Sequence, residues 1–186
     1  DFVNWTKPRR IVMPDPNEPG VEEFLCMRPK VRGGLYLGFL RILRDDMAAD
    51  PGGPLNGIGW TEICTSRDGE NWTRHREPFI DRGPAGTWDH AMAYLGDVIT
   101  VGEQDYFYYG GSSFGHKSDK GRRSENALGL AKLRRNGFVS RDAGATEGVL
   151  RTPLLTLDAD GLTVNAAVSG ELRLRVLDDK GQPMPD

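Results

Sequence analysis

Short apolar runs separated by turn residues recur along the chain. They fall at Phe24–Met27, Leu35–Leu40, Trp60–Cys64, Ala91–Leu95, Tyr106–Tyr109 and Ala127–Ala131. Runs of this length, bounded by Gly, Pro, Asn, Asp and Ser, read as β-strands. The clearest break between two of them is Thr65-Ser66-Arg67-Asp68-Gly69-Glu70-Asn71-Trp72-Thr73. Asp-Gly favours a tight hairpin because both residues tolerate the positive φ of the preferred two-residue turns. A tryptophan then opens the next strand.

The pattern repeats. Asn4-Trp5-Thr6 and Asn71-Trp72-Thr73 lie 67 positions apart, and Asn136-Gly137-Phe138 is a degenerate third copy. Val21-Glu22-Glu23 and Trp88-Asp89-His90 are also 67 apart, and so are the runs opening at Trp60 and Ala127. The runs opening at Leu35 and Tyr106 are 71 apart, so the second copy carries about four extra residues there. Each unit reads strand, strand, strand, turn, strand, and four strands per repeated unit predict a propeller blade. The expected fold class is therefore all-β: a partial β-propeller of about two four-stranded blades over residues 1–140. Residues 1–14 are expected as the outer strand of an earlier blade. One full blade runs from about Val21 to Ile80, and a second extends to about Ser140.

Past Ser140 the repeat is lost. Leu154–Leu157, Leu162–Ala166 and Leu172–Leu177 alternate at period two, with turns at Asp160-Gly161, Ser169-Gly170 and Lys180-Gly181. Residues 141–186 thus predict the start of a C-terminal β-sandwich-like domain. Asp1 matches Asp68, so the sequence opens inside a motif, and two blades do not close a ring of four to eight. A piece of a longer protein is the expectation.

Composition narrows the partners. Glycine and proline number 24 and 12, in keeping with the many turns of an all-β protein. A net charge of −3 supplies no broad cationic field, which argues against nucleic acid. No apolar run approaches the roughly 20 residues that span a bilayer. Cys26 and Cys64 fall on different strands without metal-like spacing and read as buried thiols. The three histidines have no paired spacing, so neither zinc nor another cofactor is expected.

Two long polar loops interrupt the units, Asp45–Gly59 and Ser112–Glu125; the second carries His116, Lys117, Lys120, Arg122 and Arg123. Long loops on rigid sheets often carry function. Glu22 and Asp89 hold equivalent positions in adjacent units, which places both at a shared acidic mouth if the units stack radially. The alternative for each, and for Glu23, is to cap a turn or pair a neighbouring cation. His90 can hydrogen-bond a ligand or hold Asp89, or it can be an ordinary satisfied polar residue; His116 carries the same two readings. Arg28, on a first strand, needs a carboxylate partner if buried, either Glu22 or a ligand. Trp72, Trp88 and Tyr106–Tyr109 suit packing between sheets or stacking on a ligand.

The Ser66–Trp72 turn followed by Thr73, the Tyr106–Gly111 strand and the run Gly129–Ser140 together resemble the five-bladed β-propeller sugar hydrolases of glycoside hydrolase families 32 and 43, the levanase, invertase and arabinanase relatives. The resemblance implies a glycosidase acting on oligo- or polysaccharides through carboxylate acid/base chemistry, with a carbohydrate as partner and a β-sandwich after the propeller. It implies catalytic roles for Asp89 and Glu22, and substrate contacts from His90, Arg28, Glu23 and His116. The family's Arg-Asp-Pro motif is matched only by Arg28-Pro29, and Asp89 is a loose match for its acid. The nucleophile motif has no counterpart. A non-catalytic carbohydrate-binding or scaffold propeller is the alternative.

Overall fold

A computed structural model describes residues 2–20, 22–118, 126–156 and 161–184. Asp1, Val21, Lys120, Arg122, Arg123, Leu157 and Asp160, which carried expectations above, lie outside the described residues. The described residues form no helix. Seven strands make one open, hydrogen-bonded sheet: β1 Glu23–Arg32, β2 Leu35–Arg44, β3 Ile58–Ser66, β4 Trp72–Ile80, β5 Met92–Val101, β6 Gln104–Ser112 and β7 Asn126–Arg134. The order is β1-β2-β3-β5-β6-β7, with β4 also on β3. The protein divides into two units, residues 1–132 and 133–186.

The sheet is two antiparallel blocks meeting at one corner. β1 to β4 form a meander, and β5 to β7 begin a second. A single parallel bridge, Gly59 to Met92, joins them. Beyond it the link passes to side chains. Gly59 N–H donates to the Ala91 carbonyl at 2.9 Å. The Thr61 hydroxyl donates to the Ala93 carbonyl at 3.1 Å and accepts from Leu95 N–H at 2.9 Å. Arg41 donates twice to the Leu95 carbonyl, at 3.0 and 2.6 Å. The free edge of β5, which would otherwise hold unpaired backbone groups away from water, is thus satisfied by the first block. Glycine is required at position 59, because a methyl group there would collide with the Tyr94 hydroxyl.

Residues directly opposite in register share a face of a sheet. Phe39 and Arg41 of β2 lie opposite Ile63 and Thr61 of β3, and this face turns toward the second block. Phe39, Phe79 and Phe107 cluster there with ring centroids 5.3 to 6.2 Å apart. Arg32 reaches fully buried Asp105 at 2.7 Å, and Lys30 reaches Asp97 at 2.6 Å. The opposite face of the first block carries Leu40, Ile42 and Cys64 under Val12, Phe24, Met27, Trp60 and Trp72. Burial pushes the Cys64 thiol up to about 11, aided by the charge of Glu62.

The Asp-Gly turn is built by side chains. Asp68 Oδ1 accepts from Glu70 N–H, Asn71 N–H and the Ser66 hydroxyl at 2.7 to 3.0 Å. Gly69 takes φ 76°, a left-handed conformation that costs glycine little. Trp72 Nε1 donates to the Gly69 carbonyl at 2.9 Å, and Trp5 Nε1 makes the same bond to the Phe2 carbonyl at 3.1 Å. The repeat therefore extends to a shared hydrogen bond.

Three expectations change. Residues 2–14 form no strand, so the earlier outer strand is absent among the described residues. Trp88-Asp89-His90 precedes its strand rather than opening it: residues 84–90 are turns, and β5 starts at Met92. The second block has three strands among the described residues, because Asn136, at φ 60°, turns the backbone after β7 and no fourth strand follows. In the unit of residues 133–186, the described residues pair only as an isolated bridge, Leu177 to Pro183. It closes a turn in which Asp178 accepts from Lys180 N–H and Gln182 N–H.

Two predictions follow from these contacts. Phe107→Ala removes a buried ring from the joint and should lower stability by about 3–5 kcal/mol in urea unfolding; a loss below about 1 kcal/mol would contradict the packing. Bonds to backbone and side-chain donors hold Asp68 well below the usual carboxylate range. Arg76, the Asp15 backbone and Arg74 outweigh burial to bring Glu18 to about 2. Depressed native values stabilise the fold above the unfolded carboxylate value and lose that contribution as pH falls. The urea midpoint should drop between about pH 5 and pH 2, and the drop should flatten in Asp68→Asn and Glu18→Gln variants.

Candidate functional site

The strand ends gather at one rim. β1 starts opposite the end of β2, and β3 starts opposite that same end. β5 starts beside β3, and β6 ends opposite the start of β5. Glu22, the loop of residues 45–57, the segment 81–91 and residues 113–118 all leave or enter strands there.

The loop of residues 45–57 organises this rim. Gly57 N–H closes it on the Met47 carbonyl at 3.0 Å, and Asn56 Oδ1 accepts from Ala49 N–H at 3.1 Å. Asp45 holds His116 Nδ1 at 3.3 Å and Lys117 Nζ at 2.8 Å, and these cations keep its carboxyl below the usual range. Lys117 N–H also donates to the Asn56 carbonyl at 2.7 Å. On the other side of the loop, Asp50 Oδ1 lies 3.1 Å from His90 Nε2. His90 Nδ1 donates to the Thr87 carbonyl at 2.7 Å, so both ring nitrogens face acceptors. His90 is buried, whereas His116 is exposed.

Asp89 is buried beside His90. Its Oδ2 accepts from the Tyr109 hydroxyl and its Oδ1 from the Thr87 hydroxyl, both at 2.9 Å. Trp88 stacks on Tyr109 with centroids 5.6 Å apart. Burial first, then the bond and charge of Asp89, raise the Tyr109 phenol above its ordinary value. A methyl at Gly111 would run into Trp88 and Asp89, whereas one at Gly110 would meet nothing within 4 Å. Asp89 therefore covers one face of β6 and leaves the other open.

Glu22 lies in a separate cluster. Arg74 donates to Glu22 at 2.9 Å, to Glu18 at 2.7 and 2.9 Å, and to Glu62 at 2.5 and 2.9 Å. Its guanidinium also sits 4.9 Å from the centre of the Phe24 ring. Trp60 Nε1 donates to Glu62 at 3.1 Å. Burial raises the Glu22 carboxyl above its ordinary range against the pull of Arg74, and the charge of Glu18 adds to the rise. Arg44, paired with Asp46 at 2.7 Å, also feels the charges of Glu22 and Glu18.

Of the residues expected from sequence, His90 joins Asp89, and His116 joins them through the loop of residues 45–57. Glu22 does not bond to that group. Arg28 and Glu23 are exposed on β1, and Glu22 pairs with Arg74 instead of Arg28. Arg74, Asp45, Asp50 and Tyr109 escaped sequence reasoning; the Asp-rich composition of the loop was the one signal for Asp45 and Asp50. Among the described residues no group of His, Cys, Asp or Glu is placed to hold a metal ion, and no helix is long and apolar enough to cross a membrane.

No family model matches the chain, and no curated protein matches it. A solved structure named "Glycoside hydrolase" is similar at TM-score 0.40 and 17% identity, over 71% of this chain and 35% of that one. Another, named as a complex of BT0996 and RGII, is similar at TM-score 0.40 and 16% identity, over 69% and 34%. The chain spans about a third of the length of these solved structures.

Replacing Arg74 with methionine leaves Glu18, Glu22 and Glu62 without their shared cation. Stability at pH 7 should fall by about 3–5 kcal/mol. The three carboxyl values then rise, so acidification toward pH 5 should recover part of the loss. A loss in urea unfolding that does not change with pH would contradict this.

Proposed function

We propose that this chain is part of a glycoside hydrolase-like protein, built as blades of a β-propeller and cleaving oligo- or polysaccharides by carboxylate chemistry. The observation that carries the reading is the rim, where Asp89, His90 and His116 gather around one loop rich in carboxylates. Glycoside cleavage needs a proton donor for the departing oxygen and a carboxylate on the opposite side. Asp89 is the carboxylate of this reading, oriented by Tyr109 and Thr87. Glu22, with its raised carboxyl, has the character of a proton donor. His90, His116, Arg28 and Glu23 supply polar contacts for sugar hydroxyls. Residues 141–186 begin a β-sandwich-like domain in the same reading.

A second reading is a carbohydrate-binding propeller without catalysis. It is favoured by the engagement of both acids: the Asp89 oxygens accept from Tyr109 and Thr87, and Glu22 is tied to Arg74.

A panel of aryl furanosides, aryl pyranosides and oligosaccharides separates the two. The Asp89→Asn variant should lose about 10²–10⁴ in kcat if Asp89 takes part in acid/base chemistry. Unchanged turnover would remove Asp89 from the mechanism. Glycan binding by calorimetry with no turnover by the parent protein would support the second reading.

A further inference from the structure

Four contacts seat the second block on the first. Gly59 bridges Met92, Thr61 bonds to Ala93 and Leu95, Arg41 donates to Leu95, and Phe39 packs on Phe107. Carrying the β3 residues forward by the 67-residue offset gives Asn126 from Gly59 and Leu128 from Thr61. Carrying the β2 residues forward by the 71-residue offset gives Gly110 from Phe39 and Ser112 from Arg41. All four line one cleft of about 580 Å³ on the second block, together with Tyr94 and Met92.

The cleft is therefore the repeat equivalent of an occupied seat. Its lining is smaller where the first seat is filled, with glycine for phenylalanine and serine for arginine. It is apolar where the first seat uses a hydroxyl, with leucine for threonine. Its apolar rim is exposed, 87% at Leu128, 47% at Leu130 and 43% at Tyr108. The opposite face of β6 is already covered by Trp88 and Asp89.

We propose that this cleft receives β1 of a second copy of the chain, as the first block receives β5. β1 ends the strand order, so its outer edge is available. By the same 67-residue offset, Leu25, Cys26 and Arg28 stand where β5 has Met92, Ala93 and Leu95. Leu25, the counterpart of the bridging Met92, is exposed. Unpaired strand edges are ready templates for a further strand. The surfaces differ, so association is head to tail, and each copy offers one seat and one edge.

Sedimentation velocity across a concentration series reads this directly. The parent protein should reach at least twice its own mass. Gly110→Trp fills the seat and Leu25→Lys charges the edge, so each variant alone should run at single mass. An equimolar mixture should form pairs and nothing larger, because one intact edge meets one intact seat. Leu128→Lys replaces Gly110→Trp if the latter shifts the urea midpoint. A parent protein that stays at single mass, variants that assemble like the parent, or a mixture without pairs would each overturn the proposal.

Discussion

The edge of β5 is the constraint on which the two-block arrangement rests. A strand that begins a new sheet leaves one row of N–H and C=O groups without a ladder, and burying them unpaired costs free energy for each group. Here Gly59, Thr61 and Arg41 supply the partners, one from backbone and two from side chains. The bonds fix both the position of β5 along the first block and the angle at which the second block departs. Phe39, Phe79 and Phe107 then fill the space the angle creates.

That same joint brings the rim together. With the Gly59–Met92 bridge in place, the turn of residues 84–91 sits beside the loop of residues 45–57, and Asp50 meets His90. Asp45 collects His116 and Lys117 from the segment after β6. Glu22 holds the equivalent position ahead of β1, but its surroundings differ. Arg74 of β4 is within reach there and draws Glu18, Glu22 and Glu62 onto one guanidinium. In the second block, Asp89 meets a phenol and a hydroxyl instead. Equivalent positions in a repeat thus carry a common backbone path and unlike electrostatics.

Much of the fold was legible. The apolar runs at Phe24, Leu35, Trp60, Tyr106 and Ala127 lie within β1, β2, β3, β6 and β7, and Trp72 opens β4. The Asp-Gly turn and the tryptophan that braces it were readable because each is settled within a few residues. The candidate site was only partly legible. Asp89, His90 and His116 stood out by type and position, yet the loop acids that hold the two histidines did not. The expected partnership of Glu22 with Arg28 failed because Arg28 points to solvent, while Arg74, 52 residues from Glu22, has the reach and the burial.

By itself, the order of residues determined the strands, the turn chemistry and a rhythm of 67 positions, because alternation, glycine conformation and Asp side-chain bonding are local. Only the tertiary structure decided which face of each strand is covered and which acid meets which cation. Those choices depend on one strand edge finding donors on another sheet, across separations of 32 to 54 residues that no local pattern records.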